Sequence, residues 1–127
     1  MIDNPSKIRT VAFLLGGMAV LLGAFGAHGL KGILSAKLMN TWHTGVLYHF
    51  VHVFLLLVLS YQEKTKLCRL AIINCVAGIA LFSGSLYAYC LTSLSIFALI
   101  TPVGGVCFVL AWGVAAWASY GTQPNSA

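Results

Sequence analysis

Four apolar runs divide this chain, each close to the roughly 20 residues that a helix needs to cross a bilayer. They predict spans at about 11–28, 42–61, 70–91 and 96–120. In hydrocarbon the backbone must satisfy its own hydrogen bonds, so runs of this length fold as helices. Charge agrees: 7% of the residues are charged and 60% are hydrophobic, whereas a soluble domain carries about 25% charged residues. The expected fold is all-α, an integral membrane four-helix bundle forming one domain. The net charge of +5 is no nucleic-acid signature. The basic residues cluster at the ends of the apolar runs, where they read as topology signals and headgroup contacts.

The first run carries Ala12, Gly16, Ala19, Gly23 and Gly26 on one helical face. Small faces let helix backbones approach closely in lipid. A basic start, an apolar centre and the small residues around Ala24–Ala27 also fit a cleaved signal peptide. The glycine face, continuing through the whole segment, favours a retained helix. His28–Asn40 reads as a polar link, with Ser35 as candidate N-cap of the second helix. In the third run Asn74, Gly78, Ser85 and Tyr89 share one face, with Ala77, Ala80, Gly84 and Ala88 on or near a neighbouring one. The fourth has a small face of Gly104, Cys107, Ala111, Ala115 and Ala118. Pro102 either kinks this span or occupies its first turn behind Thr101. Trp112, Trp117 and Tyr120 gather towards its end, as interfacial anchors do, and Gly121–Ala127 reads as a disordered tail. Cys68, Cys75, Cys90 and Cys107 form no C-x-x-C pair and read as small buried core residues.

Orientation follows from the basic residues. The N-terminus, second loop and C-terminus share a side that holds Lys7, Arg9, Lys64, Lys66 and Arg69, against Lys31 and Lys37 opposite. The positive-inside rule then places both termini in the cytoplasm. With the second helix entering from outside near His43, His49 lies about 9 Å deeper and His52 about 13 Å deeper, near the midplane.

That second span, Trp42–Tyr61, is the unusual one: it is apolar enough for lipid, yet it carries three histidines. An ionisable group in a membrane helix is a functional-site hypothesis, because hydrocarbon punishes unpaired polar atoms. On a helical wheel Trp42, Gly45, Tyr48, His49 and His52 share one face, while Val46, Phe50, Val53, Leu57 and Ser60 lie elsewhere, mostly towards lipid. Other polar residues fall in the same outer half: His28, Ser83, Ser85, Tyr87 and Thr101, beside Pro102. A polar pocket open to the outside would collect them, with His28 closing its mouth. The alternative is that these groups glue four helices together.

The strings LGAFGAHGLK at Leu22–Lys31, YHFVH at Tyr48–His52 and LFSGSLYAYCLTSLSIFALITPVGGVCFVLAW at Leu81–Trp112 resemble one family. It is the domain of unknown function 423 family of YgdD-like small bacterial inner-membrane proteins, similar also to the vertebrate transmembrane protein 256. The resemblance covers nearly the whole chain and implies a four-helix inner-membrane protein. It supplies no activity. The residues that match its pattern are Gly23, Gly26, His28, Tyr48, His52, Ser83, Gly84, Ser85, Tyr87, Thr101, Pro102, Gly104 and Gly105; His49 is not part of it.

Catalysis finds little support. The only carboxylates, Asp3 and Glu63, lie on the cytoplasmic side, away from the histidines, and no serine has a nucleophile-elbow context. Haem would need axial histidines from different helices, and a metal more ligands than His49 and His52 supply, so no cofactor and no metal is expected. A small solute or proton-linked transporter using His52 is one alternative, since histidine titrates in the physiological range. A haem- or metal-binding membrane protein is another. The favoured reading is a non-catalytic helix partner or small-ligand binder. Its partners are the lipid bilayer and a second copy or another membrane protein, and no nucleic acid. Gly16, Gly23, Gly26, Gly84, Gly104 and Gly105 are the expected helix-packing positions.

Overall fold

The computed structural model describes residues 2–121; the tail expected beyond Gly121 lies outside the described residues. Helix α1 runs Pro5–His28 and α2 Ala36–Ser60. The third span is composite: α3, Lys66–Gly78, passes through a π-helical segment, Ile79–Ser83, into α4, Gly84–Thr92. Helix α5 spans Ser95–Gly121. All four spans are long and apolar enough to cross a membrane.

Local chemistry sets the starts. The Asn4 side chain accepts from the Ser6 and Lys7 amides, with Pro5 opening the helix. The Ser35 hydroxyl accepts from the Leu38 amide at 3.2 Å and the Thr65 hydroxyl from the Cys68 amide at 3.1 Å. Each cap satisfies donors that a helix N-terminus leaves free. The second helix therefore starts six residues before the apolar run at Trp42, since the polar turn Ala36–Thr41 can propagate from the cap. Pro102 lies inside α5 rather than in its first turn. Ser93, in the left-handed region at φ 57°, ends α4, and its amide bonds the Tyr89 carbonyl.

The spans are covered unequally. In their most apolar windows 44% of α2 and 39% of the third span is buried, against 17% for α1 and for α5. Thus α2 and the third span are the inner helices; α1 packs on α2, and α5 on the third span. The small face of α1 lies against α2, with Ala12 and Ala19 fully buried. A Cβ on Gly16 would stand 3.4 Å from Val53, and one on Gly23 3.5 Å from Val46. This corrects the assignment of Val46 and Val53 to the lipid side of α2: they carry α1, and Ser60 is buried as well. Lipid instead meets Leu47, Val51, Phe54 and Val58. A hydrophobic wheel cannot separate lipid from a neighbouring apolar helix, because in a bilayer both are apolar.

The π segment is held between two glycines. On one side the Ser83 hydroxyl donates to the Gly45 carbonyl of α2 at 2.7 Å. On the other, Gly104 of α5 lies directly on the backbone of Leu81 and Phe82, so a Cβ there would run into main-chain atoms. Gly78 leaves room for the Phe108 ring. Three thiols tie the third span to α2 through its carbonyls: Cys68 to Leu59, Cys75 to His52 and Cys90 to Leu38, at 3.5, 3.2 and 3.3 Å.

Candidate functional site

His49 and His52 stand near the middle of α2, about 20 and 24 Å from its start at roughly 1.5 Å per residue. Because the helix begins at Ala36, His49 and not His52 is the closer to its midpoint. Both side chains are buried, 1% and 3% exposed. They point to different neighbours.

His52 faces α5. Its Nδ1 lies 2.7 Å from the Tyr48 carbonyl, which can only accept, so Nδ1 carries the hydrogen. Its Nε2 is 3.0 Å from the Trp112 indole N–H, which can only donate, so Nε2 offers a lone pair. Both nitrogens are spent, and the tautomer is fixed from both ends. The ring stacks on Phe108 with centroids 3.4 Å apart, and Tyr48 lies nearby at 6.1 Å. Protonating Nε2 would set two donors against each other. This arrangement gives a proton carrier nothing to work with unless Trp112 first moves away.

His49 faces α1 and α4. Its Nδ1 lies 3.1 Å from the Tyr87 hydroxyl. Among the described residues, His49 Nε2 is the one buried side-chain nitrogen or oxygen with no hydrogen-bond partner. The Leu15 backbone of α1 is the acceptor that faces the ring, in a looser contact than the bond to Tyr87. The ring borders a groove of about 240 Å³ walled by Leu15, Met18 and Leu22 of α1, and by Val76, Ile79, Ala80, Gly84 and Tyr87 of the third span.

The remaining polar residues pair off elsewhere. The Ser85 and Thr101 hydroxyls meet at 2.6 Å, Thr101 also reaching the Phe97 carbonyl at 3.0 Å and Ser85 the Phe82 carbonyl at 2.9 Å. Two hydroxyl hydrogens are shared among these contacts. Ser83 is committed to Gly45, as above. His28, the last residue of α1, is exposed and covers no mouth. Tyr48 is 42% exposed. The expected common pocket is therefore divided into separate pairs: His49 with Tyr87, His52 with Tyr48 and Trp112, Ser85 with Thr101. Ser83, Ser85, Thr101 and His52 are not walls of the groove beside His49. The reason is geometric: side chains three residues apart on a helix diverge by about 60°, enough to give each a different neighbour when the helix is surrounded. Among the described residues no three His, Cys, Asp or Glu side chains converge to hold an ion.

Of the expected packing glycines, Gly104 and Gly26 make the close approaches. The Trp42 ring lies over Gly26, where a Cβ would be 2.5 Å away, and its indole N–H donates to the Leu22 carbonyl at 2.9 Å. Gly84 and Gly105 leave ordinary space. Sequence reasoning missed Trp112 and Phe108 as partners of His52. The signal was present, since Gly104, Phe108 and Trp112 recur every four residues on one face. Trp112 was placed with the interfacial anchors instead; Trp117 and Tyr120 are strongly exposed, in keeping with that role.

Residues 22–105 match the family described as protein of unknown function (DUF423). A UPF0382 membrane protein, YwdK of Bacillus subtilis, is 46% identical over 100 residues, covering 75% of this chain and 80% of that protein. A UPF0382 membrane protein of Haemophilus influenzae is 39% identical over 117 residues, covering 91% and 94%. The UPF0382 inner membrane protein YgdD of Escherichia coli is 36% identical over 106 residues, covering 81% of each. No solved structure matches.

Proposed function

The chain belongs to the DUF423 family of multi-pass inner-membrane proteins, and from that premise we propose that it is a non-catalytic binder of a small ligand within the bilayer. One observation carries this reading. Among the described residues the buried polar side chains of the spans bond to one another or to backbone carbonyls, and the loosest is the imidazole of His49, a residue that lines a groove. A uniformly well-paired set would describe helix glue alone; a loosely held imidazole on the wall of a cavity supports a place for a ligand. Catalysis has no support from this arrangement. Asp3 is engaged with Arg69 at 3.1 Å at the end opposite His28, and both histidines lie far from it along their helices.

The orientation belongs to the same proposal. Asp3–Arg69 and the Arg9 guanidinium, 4.9 Å from the Tyr61 ring centre, gather the N-terminus and the second loop at one end. Positive-inside counting makes that end cytoplasmic, so the groove occupies the middle and outer part of the bundle.

Native mass spectrometry of protein released from its own membranes tests the binder. A small lipophilic mass retained by the parent and lost on Ala80→Leu, which fills the groove from a wall, is the expected result. A parent that carries no such mass, and whose stability no lipophilic compound changes, would refute it.

A further inference from the structure

We propose that a cleft between the ends of α2 and α5 and the start of α3 holds one phospholipid with a primary ammonium head, phosphatidylethanolamine, from the leaflet at that end. The cleft shares no wall residue with the groove beside His49 and stands apart from the binder reading.

The rim comes first. The chain has two carboxylates, Asp3 and Glu63. Asp3 is paired with Arg69 at 3.1 Å. Glu63 stands on the rim of the cleft with Gln62 and Thr65. Among the described residues, the Gln62 and Glu63 side chains have no hydrogen bond or ion pair. The Thr65 oxygen accepts from the Cys68 amide at 3.1 Å, which leaves the hydroxyl hydrogen to donate. Lys64 and Lys66, both exposed, flank Glu63 in the chain and are not walls of the cleft. A negative charge thus stands at the cleft, with positive charges just outside it. That order complements a zwitterionic head: the ammonium meets Glu63, and the phosphate meets the lysines and the Thr65 hydroxyl. A glycerol head would leave Glu63 without a cation. A choline head brings the charge but no N–H to donate.

The floor comes second. The cleft encloses about 320 Å³. Leu55 and Trp112 stand seven residues before Gln62 and Ser119, so it runs about 10 Å along the helices. Over that length Leu55, Leu59 and Ala115 give it apolar walls, suited to the first part of an acyl chain. An apolar cavity with a few polar groups at one end is the ordinary form of a ligand site. The level agrees. Trp117 and Tyr120, strongly exposed beside Ser119, mark the headgroup layer at this end of α5.

Trp112 supplies the readout, because it walls the cleft and its indole N–H donates to His52 Nε2 at 3.0 Å. Protein with ¹⁵N-indole tryptophan in phosphatidylcholine nanodiscs gives three indole signals, and Trp112→Phe identifies one of them. Replacing a rising fraction of the host lipid by phosphatidylethanolamine should move the Trp112 signal saturably. Trp42, held by the Leu22 carbonyl and no wall of the cleft, should stay unmoved. Glu63→Gln should raise the half-saturating fraction about fivefold, the worth of one exposed ion pair. Ala116→Leu, which fills the cleft from an exposed position, should abolish the shift. An equal shift with phosphatidylglycerol, or no effect of Glu63→Gln, overturns the ammonium contact. A drift that never saturates and matches that of lipid-exposed Trp117 overturns the site. Saturation by dodecylammonium but not by phosphatidylethanolamine assigns the carboxylate to a free amine and overturns the lipid. Ala80→Leu should leave the titration unchanged, so failure here leaves the reading of the His49 groove where it stands.

Discussion

His49 and His52 are separated by one turn of one helix, are equally buried, and have opposite circumstances. His52 has a partner on each nitrogen and an aromatic ring on its face, all supplied by its own helix and α5. His49 has one well-formed bond, to Tyr87, and its residue lines a groove. Burial alone therefore says nothing about which histidine is available. The count of satisfied ring nitrogens does. The difference traces to the helices on either side. On the α5 side Gly78 and Gly104 let Phe108 and the π backbone close up. On the other side the small face of α1 is spent on α2, and α1 stands away from the third span across the groove.

The largest expected effect breaks the closed side. Gly104→Leu would drive a side chain into the Leu81–Phe82 backbone. It should cost more than about 4 kcal/mol and leave little folded protein, as read by denaturant unfolding in detergent micelles. Next, His52→Leu strands the Trp112 N–H and loses the Phe108 stack. A loss of about 2 kcal/mol is expected in the same assay, interhelical hydrogen bonds in membranes being modest. The open side should respond less. His49→Leu combined with Tyr87→Phe removes both members of that pair along with the orphaned nitrogen. Stability should remain within about 1 kcal/mol of the parent, because apolar replacement of both partners leaves no buried group unsatisfied. A double variant as damaged as His52→Leu would erase the distinction. Smallest of all is Gly84→Ala: its Cβ would find only the Ile79 carbonyl, at 3.9 Å, and unfolding should shift by less than about 0.5 kcal/mol.

The spans and the Ser35 cap were legible because apolar length and capping chemistry are local properties. The small face of α1 was legible too, since Ala12, Ala19 and Gly26 keep one helical face and their lack of bulk has a use only against another helix. What α1 packs on was not. Val46 and Val53 look the same to a wheel whether they meet lipid or glycine. The π segment was hidden for a different reason: nothing in Ile79–Ser83 breaks an α-helix, and the wider turn is maintained by Gly45 and Gly104 from other spans. One extra residue in that turn shifts every later side chain of the third span around its axis. Ser85 is thereby turned to Thr101, and Tyr87 to His49 and Trp42. His49, His52, Ser85, Tyr87 and Thr101 were named from the sequence, whereas Trp112, Phe108 and the groove walls on α1 were not; the division into separate pairs could not be read without the neighbours.

Ring-nitrogen NMR of ¹⁵N-histidine protein in nanodiscs tests the central claim most directly. His52 should appear as the Nδ1–H tautomer, its Nε2 resonance showing an acceptor bonded to the Trp112 indole and unchanged by Ala80→Leu. His49, with the Tyr87 hydroxyl donating to Nδ1, should appear as the Nε2–H tautomer, with that nitrogen weakly hydrogen-bonded and shifted when Ala80→Leu fills the groove. The opposite pattern, with His52 carrying its hydrogen on Nε2 or His49 Nε2 strongly bonded and blind to Ala80→Leu, would contradict the division of roles between the two histidines.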